Sequence, residues 1–400
     1  MSILIMSKMA YAQAPYDDWL QDLEEDLIVL TTPDHAAQGQ NYHHVEAFGA
    51  FDTNPCIEVR AMELAEEHDF RVIFGPSECD LLRAARLRET LGIKGQSYES
   101  ALAFRDKTVM KTYLKQAGIR VPHFAKIHSA LDIYQFIQQH GYPVVVKPVD
   151  GIGSKNTAVL RNRNDLISYL QEDLATNLEV ETFVEGEMYH VDGLILNGEI
   201  VLIWPSKYTT GCLAFQDGTS NGSYLLGAEN PMTARLIDYV KQVLGALPTP
   251  EHVSFHAEVF HTPQDELVFC EIAGRTGGGH IRQAFKTGFG VDLNQISVQA
   301  QCGIKFDSAD FATGAQVPRQ YCGFLMVPSK KGVLRKVPEG RYADWVTQSK
   351  ITAAPNQVFN GSVSSADTIG LFFVEGESEE QVISRLQELT GWLERSFVWE

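Results

Sequence analysis

Glu258 and Glu271 lie thirteen residues apart, in Phe255-His256-Ala257-Glu258-Val259-Phe260 and Phe269-Cys270-Glu271-Ile272-Ala273-Gly274-Arg275. Both sit among aliphatic and aromatic residues, and alternation along two adjacent antiparallel strands would bring their carboxylates onto one face. Carboxylates that close repel unless they share a proton or a divalent metal. Hard oxygen ligands favour Mg²⁺, which binds through one or two carboxylates plus substrate phosphates; two acids on a solvated face is the plainer alternative. A second constellation, Val144-Val145-Val146-Lys147-Pro148 followed by Asp150-Gly151-Ile152-Gly153-Ser154-Lys155, ends a β-rich run in a lysine and a glycine-containing turn. There one ammonium can reach a nucleotide phosphate while loop N–H groups, around Gly153 and Ser154, close over the others. It is not the G-x-x-x-x-G-K-[ST] loop, and a lysine beside a solvated hairpin reads the same way. Arg275, four residues beyond Glu271, runs into Thr276-Gly277-Gly278-Gly279-His280. Its guanidinium could grip a substrate carboxylate bidentately and stabilise a developing oxyanion, with Gly278 and Gly279 admitting a ligand close to the backbone; a flexible loop is the alternative.

Five further residues carry weaker signals. Lys207, in Pro205-Ser206-Lys207-Tyr208, precedes a polar stretch at 216–223 that reads either as a loop closing over phosphates or as ordinary exposed chain. His256 could line the cleft of Glu258 or be a satisfied core histidine. Glu78, after Gly75-Pro76-Ser77, could meet a substrate amine or charge the first turn of the next helix. His190 and Asp192, in Tyr189-His190-Val191-Asp192, read as ordinary strand residues.

The elements that must position these groups are legible in outline. A chain of 400 residues exceeds what one core usually holds, so two or three domains sharing a cleft are expected. Apolar runs at 2–6, 26–30 and 70–74 alternate with helical or turn segments, predicting a small parallel α/β layer over 1–95. One amphipathic helix is predicted over 101–117, carrying Lys107 and Lys111 and ended by Gly118. Strands are expected at 142–148, 178–184, 253–260 and 266–272, with a hairpin over 189–204 turning at Asn197-Gly198. Strands reappear at 321–327 and 370–374, and a helix near 378–394 closes the chain.

With 33 Lys+Arg against 51 Asp+Glu, the formal net charge of -18 repels nucleic acid and anionic membranes, although a local basic pocket remains compatible with it. No stretch is apolar enough to span a bilayer, and the run at 3–6, interrupted by Lys8, is too short for a secretory leader. Six scattered cysteines without metal-like spacing read as reduced thiols of a cytoplasmic protein.

These residues together resemble the ATP-grasp superfamily, and within it the carboxylate–amine ligases that include dipeptide-forming L-amino-acid ligases. The resemblance spans essentially the whole chain. It implies an α/β (α+β), three-domain architecture: an N-terminal parallel α/β domain (1–95), a central lid domain with a helical lead-in (96–185), and a C-terminal catalytic domain (186–400). Lys107, in Arg105-Asp106-Lys107, looks like the family's first nucleotide lysine and Lys147 like the second. Glu181-Thr182-Phe183-Val184 looks like the adenine hinge, Glu258 and Glu271 match its magnesium acids, and Arg275 its catalytic arginine. Two departures stand out. Ile272-Ala273 replaces the common x-Asn after the second acid, and Met188 stands where D-alanine ligases carry a ribose-binding Glu, leaving Glu187 as the substitute. The implied cofactors are ATP and Mg²⁺, with Mn²⁺ able to replace it, and the implied partners are amino acids as small-molecule substrates, arginine among the candidates. A phosphotransferase or carboxylase of the same superfamily, or a silent nucleotide-binding module, remains the alternative. Relatives of this branch are commonly dimers, so a homodimer is expected.

Overall fold

The structure is a computed structural model, and it describes residues 1–37, 41–307, 311 and 317–400. The strands Ser2–Met6, Asp26–Thr31 and Phe70–Phe74 form the expected parallel sheet, with His44–Ala47 added at one edge. That edge strand is only partly buried and lacks an apolar run, which is why the sequence pattern does not show it. The central strand Ser2–Met6 is buried throughout and, after Ser2, wholly apolar, because both its faces are covered. Leu4 and Met6 pack against the helices Cys56–Glu67 and Asp80–Leu91. Ile3 and Ile5 face Tyr16, Trp19, Val298 and Cys302, and the last two come from the far end of the chain. The N-terminal layer is thereby docked onto the C-terminal part, and the loop holding Glu78 is carried to the cleft.

The single helix expected over 101–117 is two, Tyr98–Ala103 and Lys107–Gln116. Asp106 makes the break: its carboxylate accepts from the Thr108 and Val109 N–H groups at 2.8 and 3.2 Å, an N-cap that competes with a continuous helix. Lys107 therefore becomes the first residue of a new helix, with Lys111 one turn further on the same face.

An antiparallel four-stranded sheet follows, in the order Phe124–Ile127, Leu178–Thr182, Val144–Pro148, Ala158–Leu160. Val144, Val146, Leu178 and Val180 face the helices Ala130–His140 and Arg163–Tyr169. Alternation then turns Val145, Lys147, Glu179 and Glu181 to the other face, toward the cleft.

The largest sheet has eight strands in the order Leu267–Ala273, Val253–His261, Glu187–Leu196, Glu199–Tyr208, Asn221–Leu225, Tyr321–Pro328, Thr368–Gly376, Val346–Ile351. The hairpin turns at Asn197 and Gly198, both left-handed with φ of 54° and 78°. The polar stretch at 216–223 is not wholly a loop, because its end enters the strand Asn221–Leu225. The helix Glu379–Ser396 closes over this sheet, its Val382, Leu386, Leu389 and Leu393 entering the common core. The mixed α/β class is thus the observed one.

Candidate functional site

A cavity of about 350 Å³ opens between the two antiparallel sheets, and eight of the predicted residues line it: Lys107, Lys147, Ser154, Glu181, Phe183, Val184, Glu258 and Glu271. Glu258 and Glu271 are direct cross-strand partners. The register then slips, Val259 pairing with Phe269, so Cys270 is an extra residue in its strand. A bulge of this kind re-aims side chains, and here Cys270 and its neighbour Glu271 both face the cavity. Simple alternation would have turned one of them away.

The acids are not left as a bare pair. Lys107 Nζ lies 3.0 Å from Glu271 Oε2 and donates to the Gly151 carbonyl at 3.1 Å. Burial alone would raise the Glu271 pKa, but Lys107 and Lys147 outweigh it and hold the carboxyl down at about 2. Tyr208 donates to Glu258 Oε1 at 2.8 Å. The Cys212 and Cys270 thiols lie 3.6 and 3.9 Å from the two Glu258 oxygens.

Behind the acids stands a buried set of four charges. Lys147 Nζ donates to Glu181 Oε1 at 2.6 Å, while Lys111 Nζ donates to Glu179 Oε1 at 2.8 Å and also to Glu181. Lys111 and Glu179 are fully buried, and Glu179 Oε2 has no hydrogen-bond partner among the described residues. Burial, outweighing Lys111, pushes the Glu179 carboxyl up; at Glu181 the two lysines overcome burial and pull it down. Sequence reasoning placed Lys111 on the helix but gave it no role. Its spacing of one turn from Lys107 was the only signal.

Arg275, in the segment just after the strand Leu267–Ala273, reaches the N-terminal layer: its Nε donates to Glu78 Oε2 at 2.5 Å, and Arg105 Nη1 lies 3.5 Å from Glu78 Oε1. Glu78 is therefore buried between two guanidiniums, not presented open to a substrate amine. The glycines that follow Arg275 divide by environment. A Cβ on Gly277 would meet Ile281 Cδ1 at 2.5 Å and His256 Nδ1 at 2.7 Å, so only glycine fits there, and Gly279 adopts a left-handed φ of 65° beside Phe324. Gly278 and Gly279 are exposed at the turn.

Chemically, the cavity offers ammonium groups for phosphates, two paired carboxylates for a hard divalent ion, and apolar walls at Val145, Val159 and Phe260 for a base. The donor set fits a magnesium nucleotide. Residues 104–249 match the family model of the ATP-grasp domain. The chain carries an ATP-grasp domain. Over 349 residues it is 28% identical to an L-arginine-specific L-amino acid ligase of Bacillus subtilis, covering 83% of this chain and 82% of that one. An L-amino acid ligase structure from Bacillus licheniformis superposes with a TM-score of 0.77 at 16% identity, over 100% of this chain and 99% of that one. A carboxyaminoimidazole ribonucleotide synthase from Aspergillus clavatus, complexed with ATP, superposes with a TM-score of 0.71 at 13% identity over 99% of each chain. Across the chain as a whole these similarities support an ATP-grasp ligase, and those to the solved structures speak for the fold alone.

Not every predicted residue reaches the main cavity. Lys207 Nζ lies 2.5 Å from Glu187 Oε1, and both line a neighbouring cavity of about 620 Å³. Gly153, with a left-handed φ of 59°, lies against the C-terminal segment, its carbonyl accepting from the Ser365 N–H at 2.9 Å. His256 faces the same way as Glu258, Nε2 at 3.6 Å from Glu258 Oε1, but its Nδ1 is held by Asp192 Oδ1 at 2.8 Å. His190 and Asp192 are consequently more than strand residues: they join the site through His256. Burial would lower the His256 pKa, yet Asp192 and Glu258 raise it to about 10. Among the described residues no helix is long and apolar enough to cross a membrane.

His280, which ends the glycine loop, packs edge-on to Phe324 and Phe373 at 6.2 and 5.5 Å. Burial lowers its pKa to about 4. The folded value lies below the unfolded one of about 6.5, so His280 contributes stability above pH 6.5 that is lost as the pH falls toward 4, at most about 3 kcal/mol. His280→Gln should flatten the decline of melting temperature between about pH 6.5 and 4.5. An unchanged slope would mean that the imidazole titrates normally.

Proposed function

We propose that this chain is an ATP-dependent carboxylate–amine ligase, joining the activated carboxylate of one L-amino acid to the amine of a second. The observation that carries this reading is the Glu258–Glu271 pair facing Lys107 and Lys147 across one cavity. Bound ATP with Mg²⁺, or Mn²⁺ in its place, would supply its γ-phosphoryl group to the substrate carboxylate, giving an acyl phosphate and ADP; the amine would then attack the acyl carbonyl and release phosphate, leaving the amide. Lys107, Lys147 and the loop N–H group at Ser154 hold the phosphates, with Gly153 shaping the turn that presents the N–H. Glu258 and Glu271 hold the metal. Glu181, Phe183 and Val184 border the base, and Glu187, tied to Lys207, stands near the ribose. Arg275 steadies the oxyanion formed as the amine attacks, because a fixed guanidinium needs no reorganisation as charge develops. Glu78 holds that guanidinium in place, and the turn at Gly278 and Gly279 admits the substrate backbone.

In this reading the parts 1–95, 96–185 and 186–400 serve as substrate-side layer, nucleotide lid and catalytic body. The likeness to an arginine-specific ligase supports arginine as the first substrate to try. Six unpaired thiols are in keeping with a reducing, cytoplasmic setting.

The test is ATP-dependent phosphate release with each of the twenty amino acids, singly and in pairs, with hydroxylamine added as a trap. A ligase gives an aminoacyl hydroxamate, and Glu271→Gln abolishes it. Phosphate release without hydroxamate would point to a phosphotransferase or a bicarbonate-using carboxylase. ATP binding with no release under any pairing would leave a nucleotide-binding module.

A further inference from the structure

Asp192 is the centre of a polar chain that ends on Glu258. It is fully buried in the middle strands of the large sheet, where an ionised carboxylate must be compensated. The compensation comes from two imidazoles: Oδ2 lies 2.5 Å from His190 Nδ1 and Oδ1 lies 2.8 Å from His256 Nδ1. A carboxylate can only accept, so both Nδ1 atoms carry protons. His190 then turns Nε2 to Ser223 Oγ at 2.5 Å, and His256 turns Nε2 toward Glu258 Oε1. Strand register enforces the alignment, since Asp192 pairs with His256, His190 with Glu258, and Glu258 with Glu271.

Oε1 of Glu258 is thus approached by His256, the Tyr208 hydroxyl and the Cys212 thiol, whereas among the described residues Oε2 has only the Cys270 thiol, at 3.9 Å. A carboxylate tied at one oxygen presents the other in a fixed direction. From this geometry we propose that Asp192 is a positioning residue for the metal acid Glu258, acting through His256. The proposal rests on the reading of Glu258 as a metal acid.

His190, Asp192 and His256 also place ligand atoms within 4.8 Å of one another, which raises the possibility of a metal of their own. The spacing argues against it. At 2.5 and 2.8 Å the partners are in hydrogen-bond contact, which leaves no room between them for an ion that needs about 2.0–2.2 Å to each ligand.

The test uses Asp192→Asn, which keeps the side-chain shape but replaces one acceptor with a donor. Mn²⁺ binding to the protein–ATP complex, read from the free-ion electron paramagnetic resonance signal, should weaken roughly 10- to 100-fold, the usual cost of losing a group that orients a metal ligand. ATP binding measured without metal should stay near that of the wild type, a split that a general loss of structure would not give. Should Asp192→Asn fail to fold, His256→Gln and Tyr208→Phe probe the same oxygen of Glu258, and each should weaken Mn²⁺ binding while Ser223→Ala, at the far end of the chain, has less effect. Wild-type Mn²⁺ affinity in a folded Asp192→Asn protein, with Glu258→Gln binding poorly, would overturn the positioning role alone. Undiminished affinity in Glu258→Gln as well would instead remove Glu258 as a metal acid, and the proposal with it.

Discussion

In the proposed ligase reaction, Arg275→Ala is expected to lower amide formation by roughly 100- to 1,000-fold, the usual cost of removing a donor aimed at developing charge, while ATP binding persists. The separation of the two effects follows from where the guanidinium sits. Its carboxylate anchor is Glu78, carried by the N-terminal layer, and it does not line the cavity bounded by Lys107 and Lys147. Burial works against its charge, yet Glu78 and, further off, Glu271 and Glu258 keep it firmly protonated. Arg275→Lys should not restore activity, since an ammonium offers no planar fork to bridge Glu78 and an oxyanion. Steady-state product formation beside equilibrium ATP binding decides the matter. Near-normal turnover in Arg275→Ala would take the arginine out of the mechanism.

Lys111→Met is expected to be the most damaging change for stability among those considered. Lys111 is fully buried and donates to both Glu179 and Glu181. Removing one partner of a buried pair leaves an uncompensated charge and typically costs about 3–5 kcal/mol. The melting temperature should fall by on the order of 10 °C. ATP binding should weaken in parallel, because Glu181 would then be oriented by Lys147 alone. The companion substitution Glu179→Gln distinguishes charge from packing. Burial already pushes the Glu179 carboxyl up, so neutralising it in the Lys111→Met background should recover part of the loss. A loss below about 1 kcal/mol in Lys111→Met would show that water or local rearrangement solvates the two acids.

The acid pair shows how far local pattern reaches. Two short apolar segments were enough to place Glu258 and Glu271 on adjacent antiparallel strands, but the register running out from the turn at 262–265 would set Glu258 opposite Cys270, and only the bulge brings it opposite Glu271. Lys147 was visible from an apolar segment too, at the end of a valine run. Asp106, directly before Lys107, is a residue type that caps helices, but the apolar period runs across it and predicts one continuous helix; the cap wins because its carboxylate satisfies two N–H groups that a continuous helix would have used.

Other features had no local signal. The bulge at Cys270 depends on how two strands slip past each other, which neither strand encodes separately. Asp192 and His256 are 64 residues apart, and only the pairing of their strands in one sheet turns an unremarkable His-Val-Asp into the support of a candidate metal acid. Lys207 went to Glu187 instead of the acids because hairpin register sets it beside Tyr189, two residues from Glu187.

By itself the sequence determined the class of element at the two paired acids and the two cavity lysines, Lys107 and Lys147, the parallel N-terminal layer and the kinds of charge available to a cleft. These follow from periods of two and 3.6 residues and from residue chemistry, all of which act over a few neighbours. The tertiary structure alone decided which charges neutralise which: Glu78 with Arg275, Lys111 with Glu179 and Glu181, Asp192 with two histidines. Such pairings join strands and helices far apart in the chain. Burial makes each of them strong, and burial exists only once the sheets have closed on one another.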